Sequence, residues 1–189
     1  MLYAMFAYHL EKTITAMTPV QDEALMADIL RLNARLTEEG KLGPAARLGP
    51  TAKAVTVREA VAEGRITMSP AAADAIRTQS AAKGDVLAVA RIAGIMAAKK
   101  TADLIPLCHP LPLSGVTVDL TVDGNSVAVV PTARTTHTTG VEMEAMTAAS
   151  VALLTVYDMV KSIDRGMTIK GVRLVSKSGG RSGDWKRAD

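Results

Sequence analysis

Aromatic residues, cysteine and histidine are all scarce in this sequence. Aromatics make up 3% of the 189 residues, and there are one cysteine and three histidines. The single Cys108 excludes an internal disulfide, and the few scattered histidines do not have the spacing of a metal site. The core must therefore be aliphatic, and we expect neither a metal nor another cofactor.

Charge and apolar runs argue against two further classes of protein. Lys and Arg number 22 against 19 Asp and Glu, a net charge of +3, whereas nucleic-acid binders generally carry a basic stripe with aromatic platforms. No uninterrupted apolar run reaches about 18 residues, and the start MLYAMFAYHL lacks the basic leader and cleavage site of a secretory signal. We predict a cytoplasmic protein that binds neither nucleic acid nor membrane and can take a small anionic ligand.

Residues 1–52 are predicted to form an N-terminal extension. Thr18 and Gln21 make a capping box around Pro19, which starts an amphipathic helix that Gly40 can close. Its apolar stripe has coiled-coil-like spacing, at Leu25, Ile29, Leu32 and Leu36. That stripe would pack on its own domain or another subunit, or else recruit a partner. A Gly/Pro-rich linker leads to the catalytic body, residues 53–189.

Helices alternate with strands in this body. The Thr56/Glu59 capping box predicts a short helix that ends by Gly64, followed by a strand at 65–68 and a helix at 69–82. The next helix, VLAVARIAGIMAAKK, should bury Val86, Val89, Ala93 and Met96 or Ala97, with Gly94 allowing close packing. The prolines of TADLIPLCHPLPL then indicate an ordered extended loop.

The second half of the body supplies a hairpin and the longest helix. Alternating residues at 116–122 and the Asp123-Gly124 turn predict two antiparallel strands. A nearly all-apolar helix at 140–162 and a last strand at 167–177 follow. Because antiparallel strands replace regular βαβ units, we predict an α+β sandwich.

Several side chains could carry chemistry. Asp158 and Lys161 share a helix face, either as a surface salt bridge or as a proton-transfer pair. The apolar neighbours Val156, Tyr157 and Val160 favour the partial burial that the second interpretation needs.

His109 is either a proton shuttle or a structural loop residue, and Cys108 either a nucleophile or an inert thiol. Lys177 belongs to the tail KSGGRSGD, whose glycine N–H groups could bind phosphate, although such tails are often merely flexible.

The long helix carries acidic residues at both ends. Glu144 and Asp158 point nearly the same way but lie about 21 Å apart at 1.5 Å per residue. One small pocket in one chain cannot use both. Either the ligand is elongated or a second subunit supplies half of the site.

Three motifs in order carry a family resemblance. KGDVLAVARIAGIMAAKKTADLIPLCHPLPL, GVEMEAMTAASVALLTVYDMVK and VRLVSKSGGRSGDW resemble the cyclic pyranopterin monophosphate synthase family, molybdenum cofactor biosynthesis protein C, from about Lys53 to Trp185. The resemblance implies a ferredoxin-like subunit, assembled as a hexamer of dimers with active sites at the dimer interfaces. The N-terminal helix is an addition, since the first 50 or so residues are longer than the family's short lead. The resemblance also implies a lyase that converts 3′,8-cyclo-7,8-dihydroguanosine 5′-triphosphate into cyclic pyranopterin monophosphate and pyrophosphate.

The same resemblance implies roles for individual residues. Asp158 matches the catalytic acid/base, with Lys161 beside it. Residues matching the substrate-binding segments and functional lysines are Leu107, Cys108, His109, Met143, Glu144, Lys83 and Lys177.

The chain departs from the family pattern in places. RLGPTAK lacks an expected Asp, and residues 136–140, THTTG, replace a usual glycine and a basic residue. These departures motivate an alternative, a non-catalytic paralogue that binds nucleotides or partner proteins. A phosphate-binding hydrolase or transferase is a further hypothesis, although neither a Walker loop nor a nucleophile elbow is present.

Overall fold

A computed structural model describes residues 16–40, 56–180 and 182–188. The chain divides into two units, Met1–Ala54 and Val55–Asp189. The predicted linker and the RLGPTAK segment lie outside the described residues, as does Arg181 of the tail.

The first unit contributes helix α1, Pro19–Glu38. Its start confirms the prediction, because the Thr18 side chain accepts from Gln21 N while the Gln21 side chain accepts from Thr18 N. Gly40 follows the helix with a φ of +67°, the left-handed conformation that glycine adopts readily. No residue of α1 is buried.

The second unit is an antiparallel sheet packed by helices. In chain order its elements are β1 Thr56–Thr67, α2 Pro70–Arg77, α3 Val86–Ala98, α4 Thr101–Leu104, β2 Leu113–Asp123, β3 Ser126–His137, α5 Glu142–Val160, β4 Thr168–Ser178 and β5 Trp185–Lys186. The sheet order is β2-β3-β1-β4-β5, with every neighbouring pair antiparallel. The predicted α+β ferredoxin-like sandwich is confirmed.

Strand β1 corrects the helix predicted after Thr56. This segment is the centre of the sheet and pairs with β3 on one side and β4 on the other. Ala60, Ala62 and Ile66 are each 0% exposed, the period-2 burial of a strand. The helix predicted from the capping-box pattern at Thr56 and Glu59 was therefore wrong, because pairing on both edges of the strand outweighs the local helix preference.

Two helices differ in detail from their predictions. Helix α2 ends at Arg77 and not near residue 82, since Gln79 takes a φ of +54° that breaks it. Helix α3 buries Val86 and Ala97 as predicted, but Val89 and Met96 are 43% and 62% exposed. Within the proline-rich segment, the single turn of α4 precedes the extended loop that was predicted.

Helix α5 is the centre of the core and packs on the sheet and on α3. Its inner face is built from alanine, with Ala145, Ala148, Ala149 and Ala152 each 0% exposed. A Cβ at Gly94 of α3 would lie 3.0 Å from the Ala148 backbone oxygen and 3.3 Å from Ala152 Cβ. The predicted close packing at Gly94 is thus confirmed, and it fixes the position of α5.

By length and composition alone, α5 could cross a membrane, the one such helix in the described part of the chain. Of its most apolar window, 56% is buried inside the unit. We therefore interpret α5 as the core helix of a folded domain.

Candidate active site

Asp158 lies in the last turn of α5, between two lysines. Its Oδ1 is 2.7 Å from Lys161 Nζ, and its Oδ2 is 2.6 Å from Lys83 Nζ. Lys83, in the turn before α3, also donates to the Asp158 backbone oxygen at 3.1 Å. We call these three residues the Asp158 cluster. The fold brings Lys83 to Asp158 across 75 residues of sequence.

The two ammonium groups determine the ionisation of Asp158. Hydrogen bonds from Lys161 and then from Lys83 lower the pKa of Asp158 from 3.8 to about 2. Its side chain is 54% exposed, so the partial burial expected for this residue was wrong. Charge pairing, and not burial, keeps this carboxylate deprotonated at neutral pH.

Glu144 lies in the first turn of the same helix and is only 4% exposed. Burial raises the pKa of Glu144; a backbone hydrogen bond opposes this shift, and the charge of Glu142 adds to it. Glu144 lines a cavity of about 350 Å³ beside the end of α3. Other residues on the wall of this Glu144 cavity include Lys99, Lys100, Thr101, His109 and Leu111.

The PLCHP loop brings only part of its predicted set to this cavity. His109 lines it together with Glu144. Leu107 is 94% exposed, Cys108 is a half-buried free thiol, and Met143 is 38% exposed. None of these three is among the lining residues of the Glu144 cavity.

Lys177 ties the tail to the first turn of α5. Its Nζ donates to Ser182 Oγ at 2.7 Å and lies 3.4 Å from Glu142 Oε1. The paired glycines beside it do not simply expose their N–H groups, because Gly179 N donates to Asp184 Oδ1 at 3.0 Å. That contact occupies the Gly179 N–H, one of the donors of the possible phosphate-binding tail.

Two sets of residues near these sites escaped the sequence reasoning. Lys99, Lys100 and Thr101 line the Glu144 cavity, and the dibasic pair directly before the proline-rich segment TADLIPLCHPLPL was a signal that could have revealed them. Arg58 Nε donates to the His137 backbone oxygen at 2.9 Å. A Cβ at Gly180 would collide with the Arg58 guanidinium, a contact between chain segments that no local pattern reveals.

The candidate residues therefore form two groups at opposite ends of α5. The Asp158 cluster stands at the C-terminal end, whereas Glu144, His109 and Lys177 stand at the N-terminal end. Fourteen residues of helix separate Glu144 from Asp158, about 21 Å at 1.5 Å per residue. Within the described residues, no three His, Cys, Asp or Glu side chains are placed to hold a metal ion.

Comparison with known proteins identifies related chains. The MoaC family matches residues 50–180. A cyclic pyranopterin monophosphate synthase of Streptomyces avermitilis is 53% identical over 154 residues, which cover 82% of this chain and 91% of that protein. Proteins with the same name from Chloroflexus aggregans and Novosphingobium aromaticivorans are 58% and 55% identical, over 72% and 82% of this chain and 84% and 98% of their own lengths.

The matched region includes every element of the sheet except β5, together with both ends of α5. Sequence identity above 50% over most of both chains indicates the same fold. This chain belongs to the MoaC family.

Proposed function

We propose that this protein is a cyclic pyranopterin monophosphate synthase, a lyase of molybdenum cofactor biosynthesis. It would act on a small-molecule substrate, converting 3′,8-cyclo-7,8-dihydroguanosine 5′-triphosphate into cyclic pyranopterin monophosphate with release of pyrophosphate. The observation that carries the proposal is the Asp158 cluster, a carboxylate with one lysine ammonium on each oxygen. A non-catalytic paralogue is not favoured, because the relatives are named as synthases.

The two acidic residues of α5 are suited to opposite proton transfers. Asp158, with its pKa lowered to about 2, is ionised and can accept a proton, and Lys161 or Lys83 can donate a different proton from its own ammonium group. Burial raises the pKa of Glu144, which favours the protonated, proton-donating form of this carboxyl group. A ring rearrangement needs both kinds of transfer, so we assign base chemistry to Asp158 and substrate binding with proton donation to Glu144.

Release of pyrophosphate requires positive charge near the phosphates. Lys99 and Lys100 lie on the wall of the Glu144 cavity with His109, and Lys177 lies beside the same helix end. We propose that Lys177 and these cavity lysines neutralise the triphosphate. The exposed side chains of Leu107 and Met143, together with Cys108, would contact substrate from outside the cavity.

We further propose that the catalytic domain begins near residue 53 and that the protein acts in the cytoplasm. The MoaC match beginning at residue 50 supports this boundary. Residues 1–52 would then be an extension that the reaction does not require.

Each complete site would combine two chains, in a hexamer of dimers. One α5 cannot present Glu144 and Asp158 to one compact ligand, since they are about 21 Å apart. The outer face of α3 supports assembly, because Val89, Ile92 and Met96 are 43%, 59% and 62% exposed and large exposed apolar surfaces mark interaction sites.

The activity is tested by incubating the purified full chain with the cyclic dihydroguanosine triphosphate and measuring pyrophosphate. Release that depends on the protein and on Asp158 is expected. No release above that of a protein-free control would contradict the proposed synthase, whereas equal release by the parent and Asp158→Asn would refute only the role of Asp158.

The shared site is tested by mixing two inactive variants, Asp158→Asn and His109→Ala. If subunits exchange, as native mass spectrometry of differently tagged chains can verify, some interfaces receive both intact halves and activity returns. Exchanged oligomers as inactive as either parent would place His109 and Asp158 in the same chain's site.

A further inference from the structure

A second cavity, of about 290 Å³, lies where β5 joins the sheet. We call it the Trp185 cavity, because Trp185 lines it together with Lys177, Lys186, Glu59 and Asp184. Trp185 is the only tryptophan of a chain that is 3% aromatic, and it is 41% exposed. No step proposed above uses it.

The sheet register brings the indole of Trp185 and the ammonium of Lys177 together. Lys177 pairs with Trp185 across β4 and β5, and directly opposed residues in an antiparallel pair project from the same face. Lys177 Nζ is 3.4 Å from Glu142 Oε1, so this face is turned toward the first turn of α5. The Arg187 guanidinium lies 5.9 Å from the centre of the Trp185 ring.

The cavity wall carries two lysines and two acidic residues, and Lys177 is itself 3.4 Å from Glu142 Oε1, so Lys186 is the more available cation to meet an anion. Glu59 is already paired with Arg134, and Asp184 Oδ1 accepts a hydrogen bond from Gly179 N. Lys186 has no ion pair within the described residues, and it lines the cavity beside Lys177. An aromatic surface flanked by ammonium groups matches a flat heterocycle that carries phosphates, because the ring stacks while the phosphates pair with the cations.

We propose that Trp185 positions the purine-derived ring of the substrate by stacking, while Lys186 and Lys177 on the same cavity wall pair with its phosphates. The inference rests on the proposed function for the identity of the ring. It makes Trp185 a specificity-determining residue, which distinguishes a nucleotide from a phosphate chain without a base.

The test compares two probes, GTP and inorganic triphosphate, by calorimetric titration of the full-length protein and its Trp185→Ala and Trp185→Phe variants. The parent should bind GTP more tightly than triphosphate. Stacking of one base contributes about 1–3 kcal/mol, so Trp185→Ala should weaken GTP binding by roughly 5- to 150-fold. Triphosphate binding should not change, and Trp185→Phe should restore most of the GTP affinity because it keeps a ring. In the parent, GTP should also quench the fluorescence of the sole tryptophan more than triphosphate does.

Two results would overturn the role of Trp185. One is GTP affinity in Trp185→Ala equal to that of the parent. The other is an equal loss of affinity for both probes, which would indicate a disturbed β5 and not a lost stacking partner. Pyrophosphate release by the parent is measured separately. If the parent releases pyrophosphate and Trp185→Ala binds GTP as tightly as the parent, only this inference is refuted. If the parent releases no pyrophosphate but Trp185→Ala loses affinity for GTP alone, only the proposed synthase is refuted.

Discussion

Replacing Asp158 by asparagine should separate catalysis from binding. The amide has nearly the shape of the carboxylate but cannot accept the proton that the reaction delivers. In the structure the change removes one negative charge from between two ammonium groups at 2.6 Å and 2.7 Å. The local charge therefore becomes more positive, which favours a triphosphate substrate.

The expected result is a fall in kcat with little change in KM. General acid–base catalysis contributes about 10²- to 10⁴-fold to a rate, so kcat for pyrophosphate release should fall by that factor. KM should stay equal or decrease, because the flanking lysines remain. Unfolding by urea should change little, since the Asp158 side chain is 54% exposed and exposed ion pairs add little stability.

A matched control exists on α2. Asp74 pairs with Arg77 three residues later and is 67% exposed, which resembles the pairing of Asp158 with Lys161. Asp74→Asn should leave both kcat and KM as in the parent. A kcat of Asp158→Asn within about threefold of the parent, or a parallel rise in KM, would refute the assignment of Asp158 as the base.

Three more outcomes are expected. Lys83→Ala and Lys177→Ala should each weaken substrate binding more at low salt than at high salt, because ions screen the lost attraction; affinities equal to the parent at every salt concentration would contradict this. The pKa of Asp158 is lowered to about 2, so its stabilising contribution is present above about pH 4 and is lost as the pH falls toward about 2. That contribution is small for an exposed pair, so the check is an NMR titration of the Asp158 carboxyl, whose midpoint should lie well below 3.8; a midpoint at or above 3.8 would be the contrary result. Gly94→Val should lower the free energy of unfolding in urea by about 1–3 kcal/mol, because the added side chain overpacks the α3–α5 contact. Gly115→Val should lower it less, since no atom lies within 4 Å of its Cβ position. Equal losses in the two variants would contradict a special role of the α3–α5 contact.

Features set by local sequence were predicted well. The capping box at Thr18 and Gln21 and the Asp123-Gly124 hairpin depend on a few adjacent residues, and both form as expected. The first part of strand β1, up to Gly64, was missed because its inward positions are small, with Ala60 and Ala62 in place of large β-branched residues. Alternating alanines do not distinguish a strand from a helix in the sequence. Pairing with β3 and β4 makes this segment a strand.

The sequence indicated candidate residues for the site, but not how the fold arranges them. The spacing of Asp158 and Lys161 gave their ion pair, because three residues of helix place them on one face. The approach of Lys83, 75 residues away, depends on how α3 packs against α5. The exposure of Asp158 was misjudged because the apolar neighbours Val156 and Val160 face the core, whereas the carboxylate points away from it.

The alanine-lined face of α5 has a consequence for mutational studies. Ala145, Ala148, Ala149 and Ala152 are fully buried, yet an alanine scan cannot alter them, because they are already alanine. The positions that bring the helix close to its neighbours would thus be silent in that experiment. Only substitutions that add volume would expose their importance, so tolerance of this helix to variation should be limited by side-chain size and not by hydrophobicity.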